Sequence, residues 1–305
     1  MLGARDTRFT AIAAVQAPPL WRRLELPTWI VAILMYGGFA LLTWQHQALP
    51  WWLASGLGAV LLAWHGSLQH EAVHGHPTRW QRLNAMLAGP PLSLWLPFRL
   101  YCVWHRAHHQ ATVLAQPGVD PESYYLARAD WQRAGPVSRM LFCAAQTLAG
   151  RLLLGPPWMV GRFWLDQARR IGRGDFRHLG IWLRHACGVA LLLLWLWLVD
   201  LPAWLYVTGM VWPGLSLTLL RSYHEHRPAA EAGGRTATVI AGAPLALLFL
   251  NNNLHAAHHA RPDLPWYELP RFHHTLANKG YEVPGYGALF RRYLFRPKDS
   301  PIYPY

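Results

Sequence analysis

The chain has 305 residues, 53% of them hydrophobic and only 14% charged, with 18 Trp and a mean hydropathy just above zero. That balance excludes a disordered chain, a coiled coil and a small disulfide scaffold, and it argues against an ordinary soluble domain. The 28 Lys and Arg against 15 Asp and Glu give +13, but 26 of the 28 are Arg scattered between apolar runs, which fits a membrane protein with basic loops and not a nucleic-acid-binding surface.

At the N-terminus, Arg5 and Arg8 are followed by no apolar run before Pro18 and Pro19, so no cleavable signal is expected. Segments 29–45 and 51–68 carry no formal charge and are joined by a short link. At 1.5 Å per residue each reaches about 24–27 Å, enough for the hydrocarbon core with Trp at its edges. Segments 181–199 and 201–220 form a second such pair, turning at Asp200-Leu201-Pro202, with Arg184 in a first turn from which it can snorkel. Three other apolar stretches, 85–98, 140–150 and 237–250, are short or interrupted by Pro90-Pro91, Arg151 and Pro244, and read as interfacial or re-entrant pieces. The links 46–50 and 200–202 contain no Lys or Arg, which places both termini and the central loop in the cytoplasm. The expected fold is an all-α integral-membrane domain over 1–305. Its four transmembrane helices form two hairpins, with interfacial or re-entrant helices, and the His-rich parts 69–180 and 221–305 make a cytoplasmic cap. No internal repeat is visible.

Cys102, Cys143 and Cys187 are far apart without a C-x-x-C, so neither disulfides nor thiolate metal sites are expected. The 17 His are the anomaly. His46, His65, His178 and His185 stand apart and read as solvated or capping residues. Eleven gather in His70-Glu-Ala-Val-His74-Gly-His76, His105-Arg-Ala-His108-His109, His224-Glu225-His226 and His255-Ala-Ala-His258-His259. Residues i, i+3 and i+4 of a helix share a face, so each H-x-x-H-H run aims three imidazoles at one point. Neutral imidazole is the commonest metal-binding side chain. Eight or nine imidazoles exceed what one ion takes, so two ions are expected; an imidazole-rich, thiolate-free site suits iron, zinc or copper, and redox-active iron best explains a pair beside a bilayer. Two other classes compete. His70-Glu71-Ala72-Val73-His74 matches the H-E-x-x-H of zinc proteases, but that reading leaves both H-x-x-H-H runs without a role. A metal transporter would place ionisable groups in mid-span, whereas these runs lie beyond span ends.

With these motifs the whole chain resembles the membrane fatty-acid desaturase/hydroxylase superfamily, which includes acyl-lipid desaturases, alkane hydroxylases and carotenoid ketolases. The run Gln69-His70-Glu71-Ala72-Val73-His74-Gly75-His76-Pro77-Thr78 is similar to the first histidine box of bacterial fatty acid desaturases. The resemblance implies that His70 and His74, then His105, His108 and His109, then His255, His258 and His259 bind two non-haem irons. His226 is added as a further ligand and is preferred over His224, with Ser222 in the place usually given to Asn. Glu71, His76, Glu225, Asn252, Asp263 and Asp120 are candidates to orient the imidazoles from behind, although turn or cap roles suit Asp120 and Asp263 as well. It further implies an O2-dependent oxidoreductase of the bacterial inner membrane, with fatty acyl desaturation expected first and hydroxylation or ketolation of an alkyl or carotenoid lipid second. The sequence contains no haem, iron–sulfur, flavin or nicotinamide motif, so electrons are expected from a separate ferredoxin-like donor with its reductase. The Arg-rich face suits such a donor or anionic lipid.

Overall fold

The computed structural model describes residues 19–305, so the expectation about Arg5, Arg8 and Pro18 lies outside the described residues. The chain is mostly helical. Proline initiates several helices, at or just before the first turn where its missing N–H costs nothing: Pro27, Pro50, Pro97 and Pro202. The elements that build the site are α1 (Leu26–Trp44), α2 (Trp51–Val73), α3 (Phe98–His109), α4 (Gly155–Gly172), α5 (Leu179–Leu198), α6 (Ala203–Ser222) and α7 (His255–Ala260).

Helices α1, α5 and α6 are long and apolar enough to cross a membrane. On α5 only Leu192 and Leu196 are buried, while Leu183, Leu191, Leu194 and Trp197 point outward. Such a surface needs an apolar surrounding. Helix α2, the second expected span, is 23 residues long, but its Trp, Gly, Ser and His make it more polar than the other three. It is also the most central. Tyr36 meets His65 and Gly38 meets Leu61, so α1 and α2 run antiparallel.

The second expected hairpin is opened out. Helix α5 meets α6 mainly near their turn, where Asp200 adopts a left-handed conformation. Its polar contacts go to α1, through Trp195 and Thr43 at 3.0 Å, to the loop 90–97, through His185 and Leu94 at 2.9 Å, and to α4, through Trp182 and Gln167 at 3.5 Å. Tyr206 of α6 donates to Leu92 O of the same loop. That loop is the centre of the stretch expected to be re-entrant, and side chains from two long helices satisfy its non-helical backbone.

Helix α6 instead packs along α2. Gly58 lies against Met210, Leu62 against Gly214 and Gly66 against Thr218, each step four residues on in both helices. The two helices therefore run parallel, with glycine where the backbones approach most closely. A π-turn over Val207–Val211 precedes Pro213, whose missing N–H interrupts the ladder there. A Cβ at Gly214 would sit 2.8 Å from Leu62 Cβ and 3.1 Å from the Ala59 carbonyl oxygen, so Gly214→Ala must separate the helices. We expect it to cost about 1–3 kcal/mol in thermal unfolding in detergent. Gly56→Ala, which meets nothing within 4 Å, should be neutral.

The helical expectation holds over most of the described chain, and one small sheet in the C-terminal third departs from it. Ala237–Val239 and Tyr281–Val283 form a two-stranded parallel sheet, with Ala237 opposite Tyr281 and Val239 opposite Val283. The apolar stretch 237–250 was expected to be one interfacial piece. It begins instead as the strand Ala-Thr-Val, β-branched and buried, and turns helical only at Ala243. The strand has a positioning role: Val239 N donates to Asn253 O, and Asn253 Nδ2 donates to Val239 O at 2.9 Å. These bonds anchor the segment that opens α7.

Candidate metal centre

Because α2 and α6 run parallel, their C-terminal ends arrive on one side of the molecule. Helix α2 delivers His70 and His74 there, and the chain leaving α6 delivers His224, Glu225 and His226. Helices α3 and α7 supply the two H-x-x-H-H runs.

Nine imidazoles meet in two groups, His70, His74, His105, His109 and His258 in one and His108, His226, His255 and His259 in the other. Within each group the donor nitrogens all lie within 4.8 Å of one another. In the group of four, the Nε2 atoms form a closed ring: His108 to His226 3.0 Å, His226 to His255 2.9 Å, His255 to His259 3.1 Å and His259 to His108 3.3 Å. In the group of five, Nε2 separations of 3.1 Å join His74 to His105, His105 to His109 and His109 to His258.

Neither H-x-x-H-H run aims all three rings at one point. His105 and His109 enter the first group while His108 enters the second; His255 and His259 enter the second while His258 enters the first. Adjacent residues on a helix are about 100° apart, so i+3 and i+4 flank residue i from opposite sides and separate once two targets lie side by side. The exchange is reciprocal, and it binds the two groups together: His109 and His259 stack face to face with centroids 4.2 Å apart.

Hydrogen bonds on the far edges of the rings fix which nitrogen is bare. Nδ1 of His105 donates to Glu122 at 2.9 Å, that of His108 to Asp120 at 2.7 Å, that of His255 to Asn252 Oδ1 at 3.1 Å and that of His226 to Arg235 O at 3.2 Å. An Nδ1 placed against an acceptor carries the proton, so each Nε2 presents a lone pair. Lone pairs facing one another at about 3 Å inside a buried cluster repel unless a cation lies among them. Nitrogens sharing an ion at the usual 2.0–2.2 Å stand about this far apart. The donor set therefore fits a metal in each group.

Burial and the neighbouring rings push the His109 and His226 imidazoles down to about 3, and burial with the charge of Lys298 does the same to His224. Burial also opposes a charge on His108, but the Asp120 hydrogen bond and the Glu122 carboxylate outweigh it and raise that ring. Unfolded, the depressed rings take up protons near their ordinary 6.5; folded, they stay neutral to about 3. Below 6.5 the unfolded state binds more protons, so stability falls as pH falls. Glu71, pushed up to about 7 by burial, acts in the opposite sense between 4.5 and 7, as do the raised Glu225, His76 and His108, but the depressed rings outnumber them. The melting temperature in detergent should therefore be lower at pH 5.5 than at 7.5; an equal or higher value would contradict this.

Glu71 accepts from Trp266 N at 3.0 Å and stands 3.9 Å from His70 Nδ1, on the edge of that ring away from Nε2. A protease base would have to face the metal-bound water, and this carboxylate stands behind the ring. Glu225 pairs with Arg221 at 3.0 Å and lies 3.6 Å from His255 Nδ1. Asn252 accepts from His255, and its Nδ2 is 3.4 Å from Glu225 Oε1. Four residues do not join the site. His76 pairs with Glu25 at 2.7 Å, and Asp263 makes an exposed pair with Arg261 at 2.7 Å. His224 faces Tyr281 at 3.1 Å, since it is two positions from His226 and turns away. The Ser222 hydroxyl reaches only Leu219 O, at 3.5 Å. Asp120, a candidate for both an orienting and a turn role, takes the orienting one, whereas Glu122 was missed from the sequence. Both lie in the loop after α3, where no helical spacing relates them to the rings, and the Asp-Pro-Glu run looks like a plain turn.

A cavity of about 650 Å³ adjoins the centre. Leu62, His65, Gly66 and Gln69 of α2 and Leu215, Thr218, Leu219 and Ser222 of α6 line it at the same i, i+3, i+4, i+7 spacing, so it lies along the contact between the two parallel helices. Glu122, Glu225 and His226 of the metal centre's surroundings also line it, as do Trp158, Arg162 and Phe163 of α4. His65, expected to be solvated or capping, is 1% exposed and lines this cavity.

A family model described as fatty acid desaturase matches residues 46–293, a stretch that contains all nine histidines. No curated protein matches the chain.

Proposed function

The chain belongs to the fatty acid desaturase family, and on that premise we propose that it is a membrane non-haem di-iron oxidoreductase that uses O2 to desaturate a lipid acyl chain. The observation that carries the reading is the convergence of nine buried or half-buried imidazoles, their ring nitrogens clustered in groups of five and four, beside a largely apolar cavity. His70, His74, His105, His109 and His258 would hold one iron, and His108, His226, His255 and His259 the other. Two irons bound there would supply O2 activation and the removal of hydrogen from an unactivated C–H.

The chain's own residues do the rest. Asp120, Glu122, Asn252 and the Arg235 carbonyl hold four rings in the tautomer that bares Nε2. The paired stripes of α2 and α6 hold the lipid beside His226 and keep water out, which fixes which carbon is reached. Hydroxylation or ketolation would need the same residues and differs in how the carbon is placed. A single domain over 1–305 would cross the membrane four times, α2 included, with both termini and the His-rich parts on the cytoplasmic side of a bacterial inner membrane. The scattered arginines there would receive an external ferredoxin-like donor fed by a reductase.

Mass spectrometry of lipids from cells expressing the chain tests this. Loss of two hydrogens from an acyl chain is the expected result, and gain of one oxygen would assign the hydroxylase reading. About two irons per purified chain should accompany either. One zinc without iron would point to a hydrolase, and an unchanged lipid profile with bound iron would count against both lipid reactions.

A further inference from the structure

Most of the polar side chains along the cavity already have partners. Thr218 donates to Gly214 O, Gln69 to Ala88 O, and Arg221 is paired with Glu225. His65 is different. It sits on the apolar part of α2, edge-on to Tyr36 at 6.0 Å, and its Nε2 is buried without a hydrogen-bond partner. The Tyr36 hydroxyl offers it nothing, being directed to Leu87 O at 2.5 Å. An ionisable side chain left unpartnered in an apolar wall costs free energy unless something in the cavity completes it. On the helix it lies five residues before His70, about 7.5 Å along the axis, and shares the cavity stripe with Leu62, Gly66 and Gln69.

We propose that His65 is a specificity-determining residue: the lipid in this cavity carries an uncharged oxygen, a hydroxyl or carbonyl, that hydrogen-bonds the imidazole and so sets which carbon lies beside His226. A hydroxyl suits it best, because it both donates and accepts and satisfies either ring nitrogen form. An anionic group does not suit this position. The lining arginines without a carboxylate partner among the described residues lie elsewhere: Arg162 and Arg169 on α4, and Arg151, with Nη1 and Nη2 buried and unpartnered, on the helix Leu148–Leu153 packed against α6. The inference rests on the cavity being the substrate site.

Competition of 1-hexadecanol, hexadecane and hexadecanoate against tritiated 1-hexadecanol on the purified full chain tests it. Hexadecanol should displace the label about tenfold better than hexadecane, the worth of one buried hydrogen bond. His65→Leu should bring the two within about twofold, whereas His65→Gln, which keeps a donor and an acceptor, should retain part of the preference. Equal displacement by alcohol and alkane in the wild-type chain overturns the proposal whether or not a variant folds. So does a preference that survives in His65→Leu, or one confined to hexadecanoate, which would assign recognition to the lining arginines Arg151, Arg162 and Arg169. Absence of saturable binding by any probe would remove the cavity reading itself, and this inference with it.

Discussion

His255→Ala should reduce turnover at least about a hundredfold and leave the purified chain with close to one metal ion where the wild type holds two. The group of four is reduced to three by that change, and the Asn252 amide loses the ring that it orients. His70→Ala removes one nitrogen from the group of five and leaves four, which is still a complete tetrahedral set. The two variants should therefore separate in elemental analysis: His255→Ala loses metal, while His70→Ala keeps most of it and loses activity through a displaced ion. Both effects should exceed the 10–100-fold typical of changes behind the ligands. Membrane insertion, followed by alkaline extraction, should be unaffected in each. His46→Ala provides the control, because that ring caps Thr43 O at 2.8 Å in the link 46–50, outside either group. Equal metal content in His255→Ala and wild type would remove His255 from the ligand set.

Much of the centre was legible in the sequence because helix geometry makes it local. H-x-x-H-H and H-x-x-x-H fix relative ring directions within one or two turns, so the spacing identifies which rings travel together. It did not identify their destinations. The division of each run between two groups depends on where α3 and α7 lie relative to each other, a tertiary fact that no single helix encodes. The carboxylates behind the rings show the same limit from the other side. Glu71 and Glu225 are adjacent to histidines and were conspicuous; Asp120 was a candidate whose turn role looked equally good, and Glu122, which reaches His105 across a loop, was not seen. The long helices were visible from their lack of charge, but the opening of the second pair was not. Apolar residues around all sides of α5 mark it as apolar without saying which neighbour it takes. The strand Ala237–Val239 was hidden because three β-branched or small residues at the head of an apolar run look like the start of a helix.

Asp120→Asn should weaken metal binding in the group of four by about 10–100-fold while leaving the group of five near its wild-type affinity. Asp120 is buried and accepts three hydrogen bonds: from His108 Nδ1 at 2.7 Å, from Ala115 N at 2.8 Å and from Glu122 N at 2.9 Å. A carboxylate can accept all of them, and an amide cannot. If the Asn oxygen takes the place that serves His108 and Glu122, its NH2 meets the Ala115 N–H donor to donor. If it is turned round, the NH2 meets His108, and that ring must carry its proton on Nε2, where the lone pair is needed. Either arrangement leaves a buried donor unsatisfied or closes a ligand. Glu122→Gln should be milder, because Glu122 accepts only from His105, is about one-third exposed, and serves a group with four other nitrogens. Metal release against a graded chelator distinguishes the two: one ion leaving early from Asp120→Asn with the second held, and little change for Glu122→Gln. The reverse order would show that the group of four does not depend on the proton position of His108, and the tautomer argument for both groups would fail with it.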